Sequence, residues 1–253
     1  MKVLGIDIGG TGIKACPVDL KKGALIGKKE RVKTPRPSTP KAVADVIEQL
    51  VQKFNWTGPI GCGFPGVIRK NVVHTAANLD KSWIGVDLGK LIQKRTGVKK
   101  VAVLNDADAA GVAEMRFGAG KNKKGTVILL TVGTGIGTAI FTNGQLLANT
   151  EFGHLKMQGK SAEKFISGVV REEKGLSWKE WSVYFDNYLE RMNALFWPDL
   201  YIIGGGGAKV IKEFTPYLKK NTVRLVGAKH KNKAGILGAA AAVENLVSKA
   251  KKA

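Results

Sequence analysis

Apolar and polar positions divide the chain into short elements of two periods. Val3-Leu4-Gly5-Ile6-Asp7-Ile8 is a nearly continuous apolar run closed by Gly9-Gly10. A run of that length between turn residues reads as a buried strand. A second run, 13–18, returns within a few residues, as in a hairpin, and a third strand is expected over 24–34. After Pro35-Arg36-Pro37-Ser38, Thr39 is placed to cap a helix, and Pro40 suits its first position because the missing N–H costs nothing there. Val43, Val46, Ile47, Leu50, Val51 and Phe54 then recur at helical spacing. Strands are expected over 59–64, 67–73 and 101–104, and helices over 86–95 and 106–116.

The order then restarts. Strands are expected over 127–132, 136–141 and 144–147, with Gly133-Thr134-Gly135 as the first turn. Trp181, Tyr184, Phe185, Tyr188, Leu189, Met192, Leu195 and Phe196 form the core face of a long helix. A strand over 200–203 runs into Gly204-Gly205-Gly206-Gly207 with a helix expected to follow, and an Ala-rich helix over 234–249 closes the chain before a frayed basic tail at 249–253. Two glycine-turn hairpins, each opening an alternation of strands and helices, predict a duplicated α/β architecture.

Composition narrows the class. The chain has 253 residues, of which 44% are hydrophobic, so it can bury a core. Its two cysteines, Cys16 and Cys62, cannot build a disulfide framework and point to a reducing compartment. No apolar run reaches ~18 residues, so no membrane span is expected, and the protein is placed in the cytoplasm. The 41 Lys+Arg against 20 Asp+Glu give a net charge of +21. That excess fits either a solvated lysine surface or a polyanionic partner, and it carries no information about fold.

The glycine turns are the first candidate chemistry. In Asp7-Ile8-Gly9-Gly10-Thr11-Gly12-Ile13-Lys14, glycines let backbone N–H groups converge on an anion, Thr11 adds a hydroxyl and Lys14 a cation. Asp7 is placed to hold a hydrated Mg²⁺ against phosphate oxygens. The same residues also make a tight hairpin with a capped Asp. Thr131 to Thr138 combine glycines and hydroxyls in the same strand–turn–strand setting. This turn lacks the Gly-Lys-Ser/Thr of a Walker loop, and a strand rather than a dinucleotide-binding helix follows it. In the third turn, Gly205 and Gly206 precede the expected helix, where a phosphate or a nucleotide can sit.

Polar groups interrupt the apolar pattern at two further places. Asn105-Asp106 ends a strand, where Asn can fix a substrate hydroxyl while Asp takes its proton, or where either can cap a helix. Glu151-Phe152-Gly153-His154 sets a carboxylate and an imidazole around one glycine, a pair able to grip vicinal hydroxyls. No cysteine lies near His154, so zinc is not expected there. Gly63-Phe64-Pro65-Gly66 and Asn78 can line a pocket or serve as ordinary turns.

Taken in order, Asp7 to Thr11, Gly63 to Gly66, Asn78-Leu79, Asn105 to Ala107, Gly133 to Gly137, Glu151 to His154 and the Gly204 turn resemble the motifs of the ROK-family sugar kinases, over nearly the whole chain. Glu151 to Lys156, Gly159 to Glu163, Trp178 to Trp181, Pro198 to Gly206 and Asn232 to Ala240 are most similar to the polyphosphate glucokinase branch. The resemblance implies an actin-like (ribonuclease-H-like) α/β fold of two lobes with an active-site cleft. The lobes would be 1–107 and 108–235, with a C-terminal helix, 236–253, returning to the first.

It also implies that polyphosphate phosphorylates the glucose 6-hydroxyl with Asp106 as general base. Gly66, Asn78, Asn105, Glu151, His154 and Glu163 would bind glucose. Asp7, Gly9, Gly10, Thr11, Lys14, Thr134, Gly135, Gly205 and Gly206 would hold phosphate, with Mg²⁺ at Asp7 through water. Two departures stand out. Ser161-Ala162-Glu163 replaces the Cys-rich zinc motif of many members, so no zinc is implied, and Gly207-Ala208-Lys209 stands where Val-Ser-Lys is expected.

An ATP-dependent or dual-donor glucokinase (a glucomannokinase) is the alternative. A basic nucleic-acid-binding repressor is a further one, against which the first strand begins near Lys2, leaving no helix-turn-helix ahead of it. A homodimer and no specific nucleic acid are the implied partnerships. Lys14, Lys121, Lys123, Lys124, Lys209 and Lys229-His230-Lys231 are the candidate contacts to a polyphosphate chain.

Overall fold

The computed structural model describes residues 1–219 and 223–250, so the tip of the basic tail lies outside the described residues. The chain forms two compact units, Met1–Ala113 together with the chain from Lys233 onward, and Glu114–Asn232. The division falls within one helix, a few residues past the boundary expected at 107.

In the first unit β1 (Lys2–Ile8) pairs antiparallel with β2 (Gly12–Asp19), which also pairs with the short β3 (Ala24–Leu25) and with β4 (Glu30–Lys33). The helix α1 (Pro40–Lys53) follows, then β5 (Ile60–Phe64), a two-stranded ribbon of β6 (Ile68–Arg69) and β7 (Val72–Val73), α2 (Leu88–Thr96), β8 (Val101–Asn105) and α3 (Asp106–Phe117). The sheet order is β3-β2-β1-β5-β8, with β1, β5 and β8 parallel. All five residues of β5 are buried, which is why its sequence reads as an unbroken run rather than an alternation.

The second unit repeats the plan. β9 (Thr126–Val132), β10 (Ile136–Thr142) and β11 (Gln145–Leu147) form an antiparallel meander. A ribbon of β12 (Lys156–Met157) and β13 (Lys160–Ser161), the short helices α4 (Glu163–Ile166) and α5 (Gly168–Glu173), and the long α6 (Trp178–Phe196) follow. β14 (Leu200–Gly205), α7 (Ile211–Phe214) and β15 (Leu225–Gly227) complete the unit. Its order, β11-β10-β9-β14-β15, is again a meander followed by two parallel strands, the repetition expected from the glycine-turn hairpins. α8 (Ala234–Ala250) then packs on β1, β2, β5 and β8 of the first unit.

Local chemistry explains the elements. Thr39 accepts from the Ala42 N–H at 3.3 Å and Pro40 opens α1, whose apolar stripe is buried through Val51. Ser177 and Glu180 cap α6 reciprocally. Trp181 stacks on Phe185 with centroids 4.7 Å apart, and both pack on Phe214.

Four expectations need correction. The strand over 24–34 is broken because Gly27 turns left-handed (φ +78°). The strand over 67–73 is a hairpin because Lys70 and Asn71 are both left-handed. Leu195 is 58% exposed and lies off the core face of α6. The glycine run after β14 leads into a 3₁₀ turn, Gly207–Lys209, and only the four-residue α7, because Val210 leaves helical geometry between them.

Candidate active site

The parallel pairing in the first unit brings three strand ends to one edge of its sheet. Asp7 is in register with Gly63, Gly63 with Leu104, and Phe64 with Asn105. Ligand sites in α/β sheets gather at such carboxyl ends. Asn105 is buried, and its Oδ1 accepts from the N–H groups of Ala107 (2.8 Å) and Asp108 (3.1 Å). It is therefore the cap of α3. Its Nδ2 also donates to the Gly66 carbonyl at 3.1 Å, so one side chain fixes both the helix start and the Gly66 turn. Asp106, half-buried, is the first residue of α3, and its Oδ1 accepts from the Ala107 N–H at 2.8 Å.

The first glycine turn is tied down by residues the sequence did not single out. The Gly9 carbonyl accepts from Thr34 Oγ1 (2.6 Å), the Gly10 carbonyl from Arg36 Nη2 (3.0 Å) and the Thr11 carbonyl from Arg31 Nη2 (3.3 Å). Three carbonyls are thus committed to protein donors, but the Gly9 N–H is spent as well, on the Gly12 carbonyl at 3.1 Å, so Gly9 closes the hairpin and is not the phosphate donor expected of it. Only the β2–β4 pairing brings these donors near, and nothing local marks them. Asn78 is exposed, and its Cβ lies where it would touch a methyl added at Gly10 (3.4 Å). Lys14 is engaged by Asp7 at 3.0 Å, so its charge is shared with that carboxylate.

In the second unit β9 and β14 run parallel, with Gly205 beside Val132, so the turns at 133–135 and 205–207 share one sheet edge. The Gly133 carbonyl accepts from the Gly168 N–H at 2.9 Å, which ties its turn to the start of α5. Glu163 opens α4 and sets its Oε2 over Gly135, where an added methyl would meet it at 2.7 Å. Thr134 is exposed.

Glu151 precedes and His154 ends a one-turn 3₁₀ helix, Phe152–His154, closed by the His154 N–H on the Glu151 carbonyl at 2.9 Å. Gly153 is required there because a methyl would sit 2.2 Å from the Ile136 carbonyl oxygen. Thr138, wholly buried in β10, anchors the segment. Its Oγ1 donates to the Thr150 carbonyl (2.7 Å), Thr150 Oγ1 donates to the Thr138 carbonyl (3.0 Å), and Thr138 Oγ1 accepts from the Phe152 N–H (3.2 Å). This pair escaped the sequence reading, since Thr138 looks like one more hydroxyl of the glycine turn. Burial pushes the Glu151 carboxyl up from its ordinary value; His154 opposes the shift and the Glu163 charge adds to it. His154 and Glu163 therefore both lie within electrostatic reach of the Glu151 carboxylate.

The third turn is less elaborate. Gly205 is left-handed (φ +63°), and Gly205 and Gly206 are exposed at the end of β14. A helix as short as α7 adds little dipole to whatever sits there.

The family model described as ROK matches residues 3–174. The chain is 48% identical to a polyphosphate glucokinase of Mycobacterium tuberculosis, over 94% of this chain and 89% of that protein. Among solved structures, the inorganic polyphosphate/ATP-glucomannokinase of Arthrobacter sp. strain KM superposes with a TM-score of 0.91 at 46% identity, covering 97% of this chain and 99% of that one. A ROK-family glucokinase from Streptomyces griseus, solved with glucose and AMPPNP, gives 0.81 at 25% identity, covering 97% and 100%. The fold is thus the actin-like, two-lobe fold of these sugar kinases.

Proposed function

The chain belongs to the ROK family, and from that premise we propose that it transfers a phosphoryl group from inorganic polyphosphate to the 6-hydroxyl of glucose. The observation that carries the reading is the position of Glu163. Its carboxylate lies over Gly135 and acts on Glu151, so one side chain belongs both to the phosphate turn and to the sugar-binding cluster. The likeness to the M. tuberculosis polyphosphate glucokinase supports the choice of donor.

In this reading Asp106 accepts the 6-hydroxyl proton as that oxygen attacks the terminal phosphorus. The bond to the next bridging oxygen breaks, and the shortened polyphosphate leaves with the negative charge. Asn105, held by the α3 cap and Gly66, fixes the sugar beside Asp106, with Asn78 at the edge. Glu151, His154 and Glu163 hold the remaining hydroxyls. Backbone groups of Gly10, Gly135, Gly205 and Gly206, with the hydroxyls of Thr11 and Thr134, receive the phosphoryl oxygens, while Gly9 shapes the turn. Such chemistry depends on positioning and charge neutralisation rather than on covalent steps by the protein.

Among the described residues no three His, Cys, Asp or Glu side chains gather to cage a metal. Magnesium is ordinarily held by one or two carboxylates, waters and the substrate's own phosphates, and Asp7 at the end of β1 fits that mode. Bound with the donor, the ion would neutralise phosphoryl charge. No described helix is long and apolar enough to cross a membrane. The reading takes the protein as cytoplasmic and homodimeric, without a specific nucleic-acid partner.

A second reading, with ATP as donor or co-donor, draws on the polyphosphate/ATP-glucomannokinase likeness. Initial rates at fixed glucose with polyphosphate, ATP or both decide between them. Turnover with polyphosphate is expected. Turnover with ATP and none with polyphosphate would remove the first reading.

The role of Glu163 has its own test. A methyl at position 135 meets nothing but the Glu163 carboxylate, so Gly135→Ala should fold normally. The expected result is a severalfold higher KM for glucose, with a higher KM for the donor as well, since the backbone of Gly135 receives phosphoryl oxygens. Glu163→Gln leaves the Gly135 backbone as it is, and a parental glucose KM in both variants would show that Glu163 does not serve the sugar.

A further inference from the structure

Glu114 is wholly buried, an expensive place for a carboxylate unless it is fully hydrogen-bonded. It is spent on backbone. Its Oε2 accepts from the N–H groups of Ala119 (2.8 Å) and Lys229 (3.0 Å), and its Oε1 from that of His230 (2.7 Å). A single oxygen thus joins two loops far apart in sequence, 118–124 and 229–231. Rings tie the same segments a second time, since Phe117 meets His230 edge-on with centroids 6.5 Å apart.

The first loop carries Lys121, Lys123 and Lys124, and the second Lys229 and Lys231, all exposed. No Asp or Glu lies within 115–124 or 228–233. Asp199, at the foot of the first loop, is committed to the Thr126 N–H at 2.7 Å. Five like charges drawn together by a buried anchor repel one another, and that repulsion is relieved when a polyanion binds.

We propose that the 118–124 and 229–231 loops form one docking surface for long, linear polyphosphate, with Glu114 as the residue that positions both. The proposal rests on polyphosphate being the donor and assigns where the chain beyond the reacting phosphate lies. A nucleic acid fits the surface less well. Single-stranded nucleic acids are held by aromatic faces as well as charge, and here Phe117 is half-buried, with Arg116 over its face at 4.9 Å and His230 at its edge. Lysines offer point charges for oxyanions without the planar fork that reads base edges.

The test uses the full chain with Lys121, Lys123 and Lys124 changed to Ala, and separately Lys229 and Lys231 changed to Ala, at saturating glucose. Each variant should raise the KM for long-chain polyphosphate by about tenfold and flatten its dependence on salt. The KM values for tripolyphosphate and glucose, and kcat, should stay within about twofold of the parent, since they need no extended surface. Glu114→Gln should show the same split between chain lengths; should it fail to fold, the lysine variants still decide. An unchanged KM for the long chain, or equal rises for long chain and tripolyphosphate, would overturn the surface. A single-stranded DNA oligonucleotide that competes as strongly as polyphosphate of equal charge, with the lysine variants relieving both, would overturn the ligand class. Absence of any turnover with polyphosphate in the parent protein is a different result, and it refutes the donor rather than the surface.

Discussion

Asp106→Asn is expected to lower kcat by about 10²-fold or more, the usual loss when a general base is removed. The substitution keeps the shape of the side chain and an oxygen able to accept the Ala107 N–H, now taken by Asp106 Oδ1 at 2.8 Å. The cap of α3 is untouched because it belongs to Asn105. The fold should therefore survive, and circular dichroism and the melting temperature should match those of the parent. Steady-state rates with glucose and polyphosphate supply the measurement. Near-parental kcat in a folded Asp106→Asn protein would move the base elsewhere.

The largest effect on stability is expected where α8 meets the rest of its unit backbone to backbone. A methyl at Gly238 would lie 1.6 Å from the Ala109 carbonyl oxygen, one at Gly61 1.8 Å from the Ala239 oxygen, and one at Gly5 2.2 Å from the Ile236 oxygen. These neighbours are main chain, so the helix itself must move. Gly238→Ala should cost about 3 kcal/mol, at the upper end for overpacking. For a chain of this size that corresponds to a fall in Tm of about 10 °C. Calorimetry of Gly238→Ala beside Gly135→Ala makes the contrast, because the second meets only a side-chain tip and should melt with the parent. Equal melting temperatures for the two would show that α8 yields readily.

The parts of this molecule legible in its sequence are those whose cause is local. Thr39-Pro40 announces α1 through capping chemistry, and the strand ends at Asp7 and Asn105 are marked by polar residues stopping apolar runs. The order of the glycine and carboxylate motifs carried the resemblance to the ROK sugar kinases and, with it, the fold. What escaped depends on contacts between distant segments. Thr34, Arg31 and Arg36 reach the first glycine turn only because β4 pairs with β2. Thr138 and Thr150 look like ordinary hydroxyls until β10 sets them side by side. Glu114 resembles any surface glutamate of an Ala-rich helix, and two of its three partners, the N–H groups of Lys229 and His230, lie more than a hundred residues away. Even the cap at Asn105 was compatible with two readings, and the structure shows that capping α3 and holding Gly66 are done by the same side chain.

The position of α8 also bears on how the protein is made. The first strands leave the ribosome well before the helix that covers them, and β1, β2, β5 and β8 all pack against α8. The second unit is contiguous in sequence and needs no later segment for its own core. Domains commonly fold in the order of their synthesis. Here the earlier segment must wait with an uncovered sheet face until α8 emerges, so a translation product stalled before α8 would expose apolar surface to chaperones and proteases.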